Sequence, residues 1–460
     1  MDFTEHIAAQ RAFFLSGGTR NLDFRRLQLQ RLLAAIERHE SDILHALHAD
    51  LRKSAKDAYT TEIGFVLGEI RHALHHLGHW VKPVRRRSPF IAWPAKSAIH
   101  PEPMGVTLIL GPWNYPFQLL LSPLVGAIAA GNCAILKPSE LAPHTAAVIC
   151  RIAKETFPET YIAAIEGDHH TAEALLRGKF DSIFFTGSTR TGRAVMSAAA
   201  VHLTPVILEL GGKSPCIVAE DAPIETTARR IVWGKFMNAG QTCVAPDHVL
   251  VDRKVHRALV DALKVSITAF YGDDPHQSPD YGRIINRRHF DRLTAYLAEG
   301  EIISGGKHRA DDLYIEPTIL LNPKDGASFL EEEIFGPILP VIPYDDLDNT
   351  LETIRQCPVP LALYVFSNDV TLQEKVIQST RSGGVCINDT ISHILARELP
   401  FGGLGESGMG QYHGKTSFDA FTHRRAVMKR SNAFDPNFRY PPSPLALPSL
   451  KRMLRLFGAG

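Results

Sequence analysis

The chain has 460 residues, of which 45% are hydrophobic and 22% are charged, and its formal net charge is +1 at pH 7. This length exceeds what one hydrophobic core normally organises, so two or more domains are expected. A charge this close to zero argues against general binding of nucleic acid or other polyanions.

Cysteine usage and the N-terminus indicate a reducing compartment. The six cysteines contain no Cys-x-x-Cys pair, so neither a disulfide scaffold nor a zinc ribbon is expected, and a cytoplasmic location is predicted. The N-terminus lacks the basic segment followed by an apolar run that a secretory signal requires.

Residues 4–80 are predicted to be helical, because leucines and isoleucines recur at helical spacing between charges. A long helix is expected from about residue 57 to residue 80. It carries His72 and His76 four residues apart, a spacing that can hold a metal ion. No carboxylate or cysteine completes a set nearby, so an exposed helix face is the favoured interpretation and no metal site is predicted.

The stretch from Pro103 to Leu136 carries no charged residue, and it is long enough to span a bilayer. Glycine, proline and asparagine interrupt it at Gly111, Pro112, Pro116, Pro123, Gly131 and Asn132. A buried strand, turn, helix and strand explain it better than a membrane span, so no integral membrane segment is predicted.

Strands and helices alternate with short connections through residues 105–210. The predicted strands are Val106–Leu110, Ala134–Leu136, Ile162–Ile165, Ser182–Phe185 and Val206–Leu210, and the predicted helices are Pro116–Ala130, Pro143–Thr156, Thr171–Leu176 and Arg193–His202. This alternation is typical of an α/β fold with a doubly wound parallel sheet. A second α/β unit is expected from Pro215 to Ile387, and residues 398–423 are glycine-rich and predicted to be loop-like.

Two connections of the first unit suit a nucleotide. The turn at 186–192, with Gly187, Ser188 and Gly192, joins a strand to a helix, and such turns aim backbone N–H groups at phosphate. Its spacing matches neither GxGxxG nor a P-loop, so alone it fits a structural turn equally well. Lys137 and Glu140 follow another strand end, where they could contact ribose hydroxyls. NAD and NADP both stay open, because the glutamate would repel a 2′-phosphate while the lysine would tolerate it.

A candidate nucleophile lies on a tight connection between a helical run and the strand-like segment His248–Val251. Cys243 in that connection is either a small buried hydrophobe or a reactive thiol. Glu209 ends an otherwise apolar strand, where a carboxylate is expensive to bury unless it is paired or functional, and it could deprotonate a thiol or a water. Asn114 either shapes a turn or donates to an oxyanion.

With these pieces together the chain resembles an aldehyde dehydrogenase, most closely the class 3 branch. The matching motifs, in the family's order, are Gly-Pro-Trp-Asn-Tyr-Pro (111–116), Lys-Pro-Ser-Glu (137–140), Phe-Thr-Gly-Ser-Thr (185–189), Leu-Glu-Leu-Gly-Gly-Lys-Ser-Pro (208–215), Gly-Gln-Thr-Cys (240–243), Glu-Glu-Ile-Phe-Gly-Pro (332–337) and Leu-Pro-Phe-Gly-Gly-Leu-Gly-Glu-Ser-Gly-Met-Gly (399–410). Cys216 and Tyr-His-Gly-Lys at 412–415 are similar to class 3 in particular.

The resemblance implies NAD(P)-dependent oxidation of an apolar aliphatic or aromatic aldehyde to its carboxylic acid. Cys243 would attack the aldehyde, Asn114 would hold the oxyanion of the thiohemiacetal, and Glu209 would activate the water that hydrolyses the thioester. The implied cofactor contacts come from Lys137, Glu140, Gly187, Ser188, Gly192, Glu333 and Phe335. The implied aldehyde pocket is lined by Phe65, Tyr115, Phe401 and His413.

The resemblance also implies how the chain is divided. Residues 1–84 and 101–210 would form the cofactor-binding domain, 211–397 the catalytic domain, and 398–423 a return segment at the active site. A small β arm from 85–100 and 424–445 would join two chains in a homodimer.

Two other functional classes compete with this interpretation. A cofactor-free cysteine hydrolase or acyltransferase would also use Cys243, but it has no need of Lys137 or of the glycine turn. A catalytically inactive binding protein would have no reason to keep Cys243, Glu209, Asn114 and Lys137 together.

Overall fold

The structure is a computed structural model that describes residues 3–89, 92–435, 437 and 440–457. Parts of two predicted segments lie outside the described residues: 1 and 2 of the cofactor domain, and 90, 91, 436, 438 and 439 of the β arm.

Helices occur throughout the described chain. They are α1 (Thr4–Leu15), α2 (Leu22–Arg38), α3 (Glu40–Leu51), α4 (Ala55–Ala58), α5 (Gly64–Trp80), α6 (Gln118–Ala130), α7 (Pro143–Thr156), α8 (His169–Leu176), α9 (Thr189–Ala200), α10 (Ile224–Phe236), α11 (His256–Tyr271), α12 (Arg287–Tyr296), α13 (Ser328–Glu331), α14 (Leu347–Gln356), α15 (Val370–Ser379), α16 (Gly414–Ala420) and α17 (Leu447–Phe457). A π-helical turn joins α4 to α5 at Tyr59–Ile63, and 3₁₀ turns lie at Met237–Gly240, Leu297–Glu299 and Ser392–Leu395.

Strands form the layers between these helices. They are β1 (Val84–Arg86), β2 (Ala95–Pro103), β3 (Val106–Leu110), β4 (Cys133–Lys137), β5 (Ile162–Ala164), β6 (Ser182–Thr186), β7 (Val206–Glu209), β8 (Pro215–Val218), β9 (His248–Asp252), β10 (Glu301–Ser304), β11 (His308–Arg309), β12 (Tyr314–Ile315), β13 (Thr318–Leu321), β14 (Ile338–Tyr344), β15 (Ala362–Phe366), β16 (Gly384–Ile387), β17 (Gly408–Met409) and β18 (Thr422–Arg430).

The first sheet is the predicted doubly wound sheet. Its strand order is β17-β7-β6-β3-β4-β5, and all neighbours are parallel except β17, which pairs antiparallel with β7. The chain runs outward from β3 through β4 to β5, then returns to place β6 on the other side of β3. The strand order therefore reverses between β3 and β6, where this architecture opens a crevice for ligands.

The uncharged stretch from Pro103 to Leu136 builds the core of this first unit. It supplies β3, α6 and most of β4, and every residue of those three elements is buried. Fully buried strands read as continuous apolar runs, which explains why the stretch lacks charges. Among the described helices, none combines the length and apolarity needed to cross a bilayer.

The second unit contains a seven-stranded sheet in the order β10-β13-β14-β9-β8-β15-β16, as counted over the described residues. Its pairs are parallel except β10 with β13. A separate apolar cluster packs around it. The α/β fold class predicted from the sequence is thus confirmed in both units.

A three-stranded antiparallel sheet, β1-β2-β18, lies on the segments predicted for the β arm. Its long pair aligns Pro103 with Thr422 and Ala95 with Arg430. Its strands extend a few residues beyond the predicted boundaries, to 84 on one side and to 103 and 422 on the others.

One local prediction gains a detail and one was wrong. The helix expected from about 57 to 80 is present from Ala55 to Trp80, and it includes the π-helical turn Tyr59–Ile63. The glycine-rich residues 398–423 include strand β17 and helix α16. The high glycine content of the segment favoured a loop prediction, but α16 begins at one of these glycines, Gly414.

Candidate active site

Cys243 lies on the predicted tight connection, in residues 237–246, here called the cysteine loop. The loop begins with the 3₁₀ turn Met237–Gly240, in which Asn238 and Ala239 both have a φ of 51°. Asparagine tolerates this left-handed conformation, but alanine seldom adopts it, and such a residue costs on the order of 1–3 kcal/mol. Surrounding contacts must therefore hold the loop, which presents the thiol to a cavity.

Gln241 provides several of those contacts. Its side-chain Nε2 donates to the carbonyls of Asn238 at 3.1 Å and Arg283 at 2.9 Å, and its Oε1 accepts from the N–H of Ile285 at 3.0 Å. The side chain is fully buried. It anchors the cysteine loop to the chain that enters α12.

The predicted oxyanion donor is bonded directly to the cysteine loop. Asn114 Nδ2 donates to the carbonyl of Gln241 at 3.1 Å, and Asn238 Nδ2 donates to the carbonyl of Asn114 at 2.8 Å. The next residue, Tyr115, shares a hydrogen bond of 2.7 Å with the hydroxyl of Thr242. The structure therefore joins the 111–116 motif to the cysteine, although more than a hundred residues separate them.

Glu209 lies at the end of β7 and is only 2% exposed. Within the described residues, neither of its carboxylate oxygens has a hydrogen-bond partner, and burial raises the pKa of this carboxyl well above its usual range. Burial, with smaller effects from Glu333 and Glu209, raises the pKa of the Cys243 thiol to about 12. The thiol is therefore protonated at neutral pH and requires a base before it can attack.

A cavity of about 330 Å³ opens beside Cys243. All four residues predicted for the aldehyde pocket line it: Phe65, Tyr115, Phe401 and His413. Residues that the sequence did not indicate also line it, namely Asp57, Thr60, Thr61, Gln118, Leu119, Trp233, Met237, Thr242, Val244, Ile391, Ile394, Leu395 and Tyr412. These come from separate segments, so no local pattern could have collected them.

His413 is a buried, apolar-facing member of the cavity wall. Its ring stacks on Phe401 with centroids 5.1 Å apart and an interplanar angle of 14°, and it lies 5.3 Å from the ring of Phe65. Burial, followed by His393 and Arg397, lowers its pKa to about 3. His413 is therefore neutral at physiological pH and adds no charge to the cavity.

A second cavity, of about 830 Å³, lies where the strand order of the first sheet reverses. Lys137, Glu140, Gly187 and Ser188 all line it, as predicted for a cofactor site. Lys137 Nζ contacts Glu140 Oε2 at 2.5 Å. Both the size and the position suit a dinucleotide.

Ser188 and Gly192 of the glycine turn have different roles beside this crevice. Ser188 caps α9, since its Oγ accepts from the N–H of Thr191 at 3.3 Å. The positive end of α9 therefore faces the crevice, where it favours a phosphate. Gly192 is not among the residues lining the cavity. A Cβ there would lie 2.7 Å from the side chain of Leu210, so this glycine allows α9 to pack closely.

Glu333 and Phe335 each contact a residue close to the site. The Glu333 carboxylate lies so close to Gly211 that a Cβ at that glycine would be 2.0 Å from Glu333 Oε2. Burial is the main cause that raises the pKa of the Glu333 carboxyl to about 8, and the charge of Asp247 is the second. Phe335 packs edge-on against Trp113 with centroids 5.3 Å apart, and that tryptophan lines the crevice. Neither Glu333 nor Phe335 lines the crevice itself, so their contact with the cofactor stays a prediction.

Residues 2–427 match the sequence model of the Aldehyde dehydrogenase family. The chain belongs to this family. Its catalytic class is therefore aldehyde oxidation with NAD or NADP, in agreement with the crevice described above.

Individual relatives are similar over nearly their whole length. The 4,4'-diaponeurosporen-aldehyde dehydrogenase of Staphylococcus aureus is 48% identical over 434 residues, which cover 94% of this chain and 95% of that protein. The dimeric NADP-preferring aldehyde dehydrogenase of Mus musculus is 46% identical over 437 residues, or 95% and 96% of the two chains. The substrate-bound structure of Staphylococcus aureus AldH aligns with a TM-score of 0.95 at 46% identity and covers 98% of each chain.

This aldehyde dehydrogenase has a buried ion pair behind its cavity that the sequence did not reveal. Lys53 and Glu62 contact each other at 2.5 Å, with both side chains fully buried. Lys53 Nζ lies 3.9 Å from the ring centroid of Tyr115, and Glu62 Oε2 accepts from the N–H groups of Phe117 and Gln118 at 3.0 Å each. The pair therefore supports both the tyrosine beside the cysteine loop and the start of α6.

Replacing Lys53 with methionine is expected to destabilise the enzyme by about 3–5 kcal/mol, because it leaves the Glu62 carboxylate buried without its cation. The matched control is Lys56→Met, an exposed position in α4, for which a change within about 0.5 kcal/mol is expected. The measurement is urea-induced unfolding of both variants followed by circular dichroism. Equal unfolding midpoints for the two variants would show that the ion pair contributes nothing.

Proposed function

We propose that this enzyme oxidises an apolar aliphatic or aromatic aldehyde to its carboxylic acid through a thioester on Cys243. The observation that carries the proposal is the position of the thiol. Cys243 lines the aromatic cavity, and it lies close enough to Glu209 and Glu333 for both to raise its pKa. One sulfur thus lies at the wall of a substrate-sized cavity and near two carboxylates.

The first step is attack of the thiolate on the aldehyde carbon. Because the thiol pKa is about 12, a base must take its proton. Cys243 is half-buried and borders the cavity, so water there can carry this proton away and the step does not require the Glu209 carboxylate. The sulfur then forms a bond to the carbonyl carbon, and the carbonyl oxygen takes the electron pair.

The oxyanion of this thiohemiacetal is held by the Asn114 carboxamide and the backbone N–H of Cys243. A carboxamide has two N–H donors, and the hydrogen bond to Gln241 uses one of them. The second N–H remains for the substrate oxygen. A nicotinamide cofactor supplies the hydride acceptor when it is bound.

Hydrolysis of the thioester completes the reaction. Glu209 takes a proton from a water molecule, which attacks the acyl carbon and releases the thiol and the acid. Desolvation strengthens this base, since no hydrogen bond of the described residues stabilises its charged form. A carboxylate that served only the structure would be expected to have hydrogen-bond partners, so the unpartnered Glu209 supports a role as the base.

Aromatic and aliphatic side chains dominate the cavity wall, which supports an apolar substrate. Lys137 and Glu140 would contact the ribose, and Gly187 and Ser188 would lie beside the pyrophosphate, while Gly192 would serve the packing of α9. Glu333 would bind the second ribose, with Phe335 beside the nicotinamide ring. The arm sheet β1-β2-β18 would join two chains in a homodimer, in keeping with the word dimeric in the name of the mouse relative.

The test is absorbance of the reduced nicotinamide when purified enzyme meets an aromatic or medium-chain aldehyde with NAD or with NADP. We expect absorbance to rise with at least one of the two cofactors, with one acid formed per cofactor reduced. Ester hydrolysis without any cofactor reduction would favour the cofactor-free cysteine hydrolase instead. The same assay ranks the cofactors, because Lys137 and Glu140 have opposite effects on a 2′-phosphate.

A further inference from the structure

Two histidines of helix α5 and a glutamate from the return segment meet behind the substrate cavity. His72 and His76 lie one turn apart on α5, and Glu398 follows the 3₁₀ turn Ser392–Leu395. One ligand atom from each of the three lies within 4.8 Å of the others, and His72 Nε2 is 3.5 Å from Glu398 Oε1. Both histidines are half-buried, so the predicted exposed helix face was wrong. The sequence shows no carboxylate close to the two histidines, and the structure supplies Glu398 from a distant segment.

Neighbouring residues hold the two imidazoles in place. The ring of Trp80 stacks on His76 with centroids 5.9 Å apart and an interplanar angle of 12°, and it lies 5.6 Å from His72. A Cβ at Gly414 would lie 3.3 Å from His72 Nε2, so the glycine leaves space beside that nitrogen. Rings fixed on one helix face are preorganised for a shared ligand.

The surrounding charge also permits a cation. The positive charge of Arg397 acts on His72, and its Nε forms an ion pair of 3.1 Å with Glu69 Oε1. That pair offsets the arginine charge. Glu398 then contributes a negative charge that no cation of the described residues neutralises, apart from its contact with His72.

We propose that His72, His76 and Glu398 bind one divalent transition-metal ion, with Zn²⁺ as the best fit. Two imidazole nitrogens and one carboxylate oxygen are a common donor set for zinc, with water in the fourth position. Zinc bonds of about 2.0–2.2 Å would draw the three donor atoms slightly closer together than they are here. Glu398 can make that movement easily, because 81% of its side chain is exposed.

The metal would connect two walls of the substrate cavity. Ile394 and Leu395 line the cavity four and three residues before Glu398, and Phe65 lines it from the start of α5. A bound ion would therefore fix the segment 392–398 against α5. Since the ion binds only the folded arrangement, zinc is expected to raise the melting temperature of the protein.

The experiment is a zinc titration of metal-free full-length protein against a chromophoric chelator, repeated on His72→Gln, His76→Gln and Glu398→Gln. The wild type is expected to bind one equivalent of Zn²⁺ that each variant binds at least about 100-fold more weakly, because even outer-shell partners change affinity by 10–100-fold. His75→Gln is the matched control, since His75 is exposed on the same helix and outside the set. It should keep that equivalent.

Cysteine thiols also bind zinc, so the titration is repeated with Co²⁺. A site made of histidine and carboxylate gives visible absorption without the ultraviolet band that thiolate ligation produces. Wild-type zinc binding that equals that of His72→Gln and His76→Gln would overturn the proposal. Full retention in Glu398→Gln, a change at an exposed side chain that leaves folding intact, would overturn the three-ligand site as well.

Discussion

Replacing Cys243 with alanine is expected to lower dehydrogenase turnover by at least about three orders of magnitude, because among the described residues it is the one thiol that lines the cavity. Hydrolysis of a nitrophenyl ester is expected to fall with it, since that side reaction would use the same sulfur. The physical reason is the position of the thiol at the cavity wall, near Glu209 and on the loop to which Asn114 is hydrogen-bonded. Stopped-flow and steady-state absorbance measure both activities.

Two other cysteines provide the controls. Cys357 is exposed and Cys386 is half-buried, and neither lines the cavity. Cys357→Ala and Cys386→Ala should keep turnover within a few-fold of wild type. Substantial turnover in Cys243→Ala, with a folded protein shown by its unfolding midpoint, would contradict the assignment of the nucleophile.

The sequence was most informative where local pattern and position on a strand coincide. Continuous apolar runs predicted β3, β4 and β6 to within one or two residues, because parallel strands buried on both faces leave little room for polar side chains. Lys137 ends one of these strands, and Glu140, Gly187 and Ser188 follow strands. Parallel topology places strand ends at one edge, and that is why these residues share the crevice.

Contacts between residues from distant segments could not be predicted from the sequence. Lys53 and Glu62 look like ordinary charges of an amphipathic helix, and only folding shows that both are buried and paired. Glu398 likewise carries no sign that it will meet His72. Such pairs depend on how elements pack together, and one sequence does not encode that packing as a local spacing.

Backbone conformation at the cysteine loop was also unpredictable. Asn238 tolerates a left-handed conformation, but Ala239 has no local reason to adopt one. The conformation persists because buried hydrogen bonds from Gln241 and Asn238 hold it. Strain at this point is thus a product of tertiary structure, and it lies beside the proposed nucleophile.

Glu209→Gln is expected to keep a burst of cofactor reduction, close to one per active site, while steady turnover falls by about 10²–10⁴-fold. Glutamine has nearly the shape of glutamate but cannot accept a proton. The thioester would therefore form and then wait for hydrolysis. Rapid-mixing absorbance resolves the burst from the steady phase, and mass spectrometry of quenched enzyme detects the acyl group on Cys243.

Electrostatics could affect the same rates, because Glu209 and Glu333 both raise the pKa of the Cys243 thiol. Removing either negative charge should lower that pKa, which remains high because burial is the larger cause. The pH dependence of thiol alkylation, measured without cofactor in Glu209→Gln and Glu333→Gln, reports this effect alone. A similar fall in thiol pKa for both variants, with acyl-enzyme accumulating only in Glu209→Gln, would place the base for hydrolysis at 209. Burst and steady turnover falling together in Glu209→Gln would instead show that this carboxylate is needed before the thioester forms.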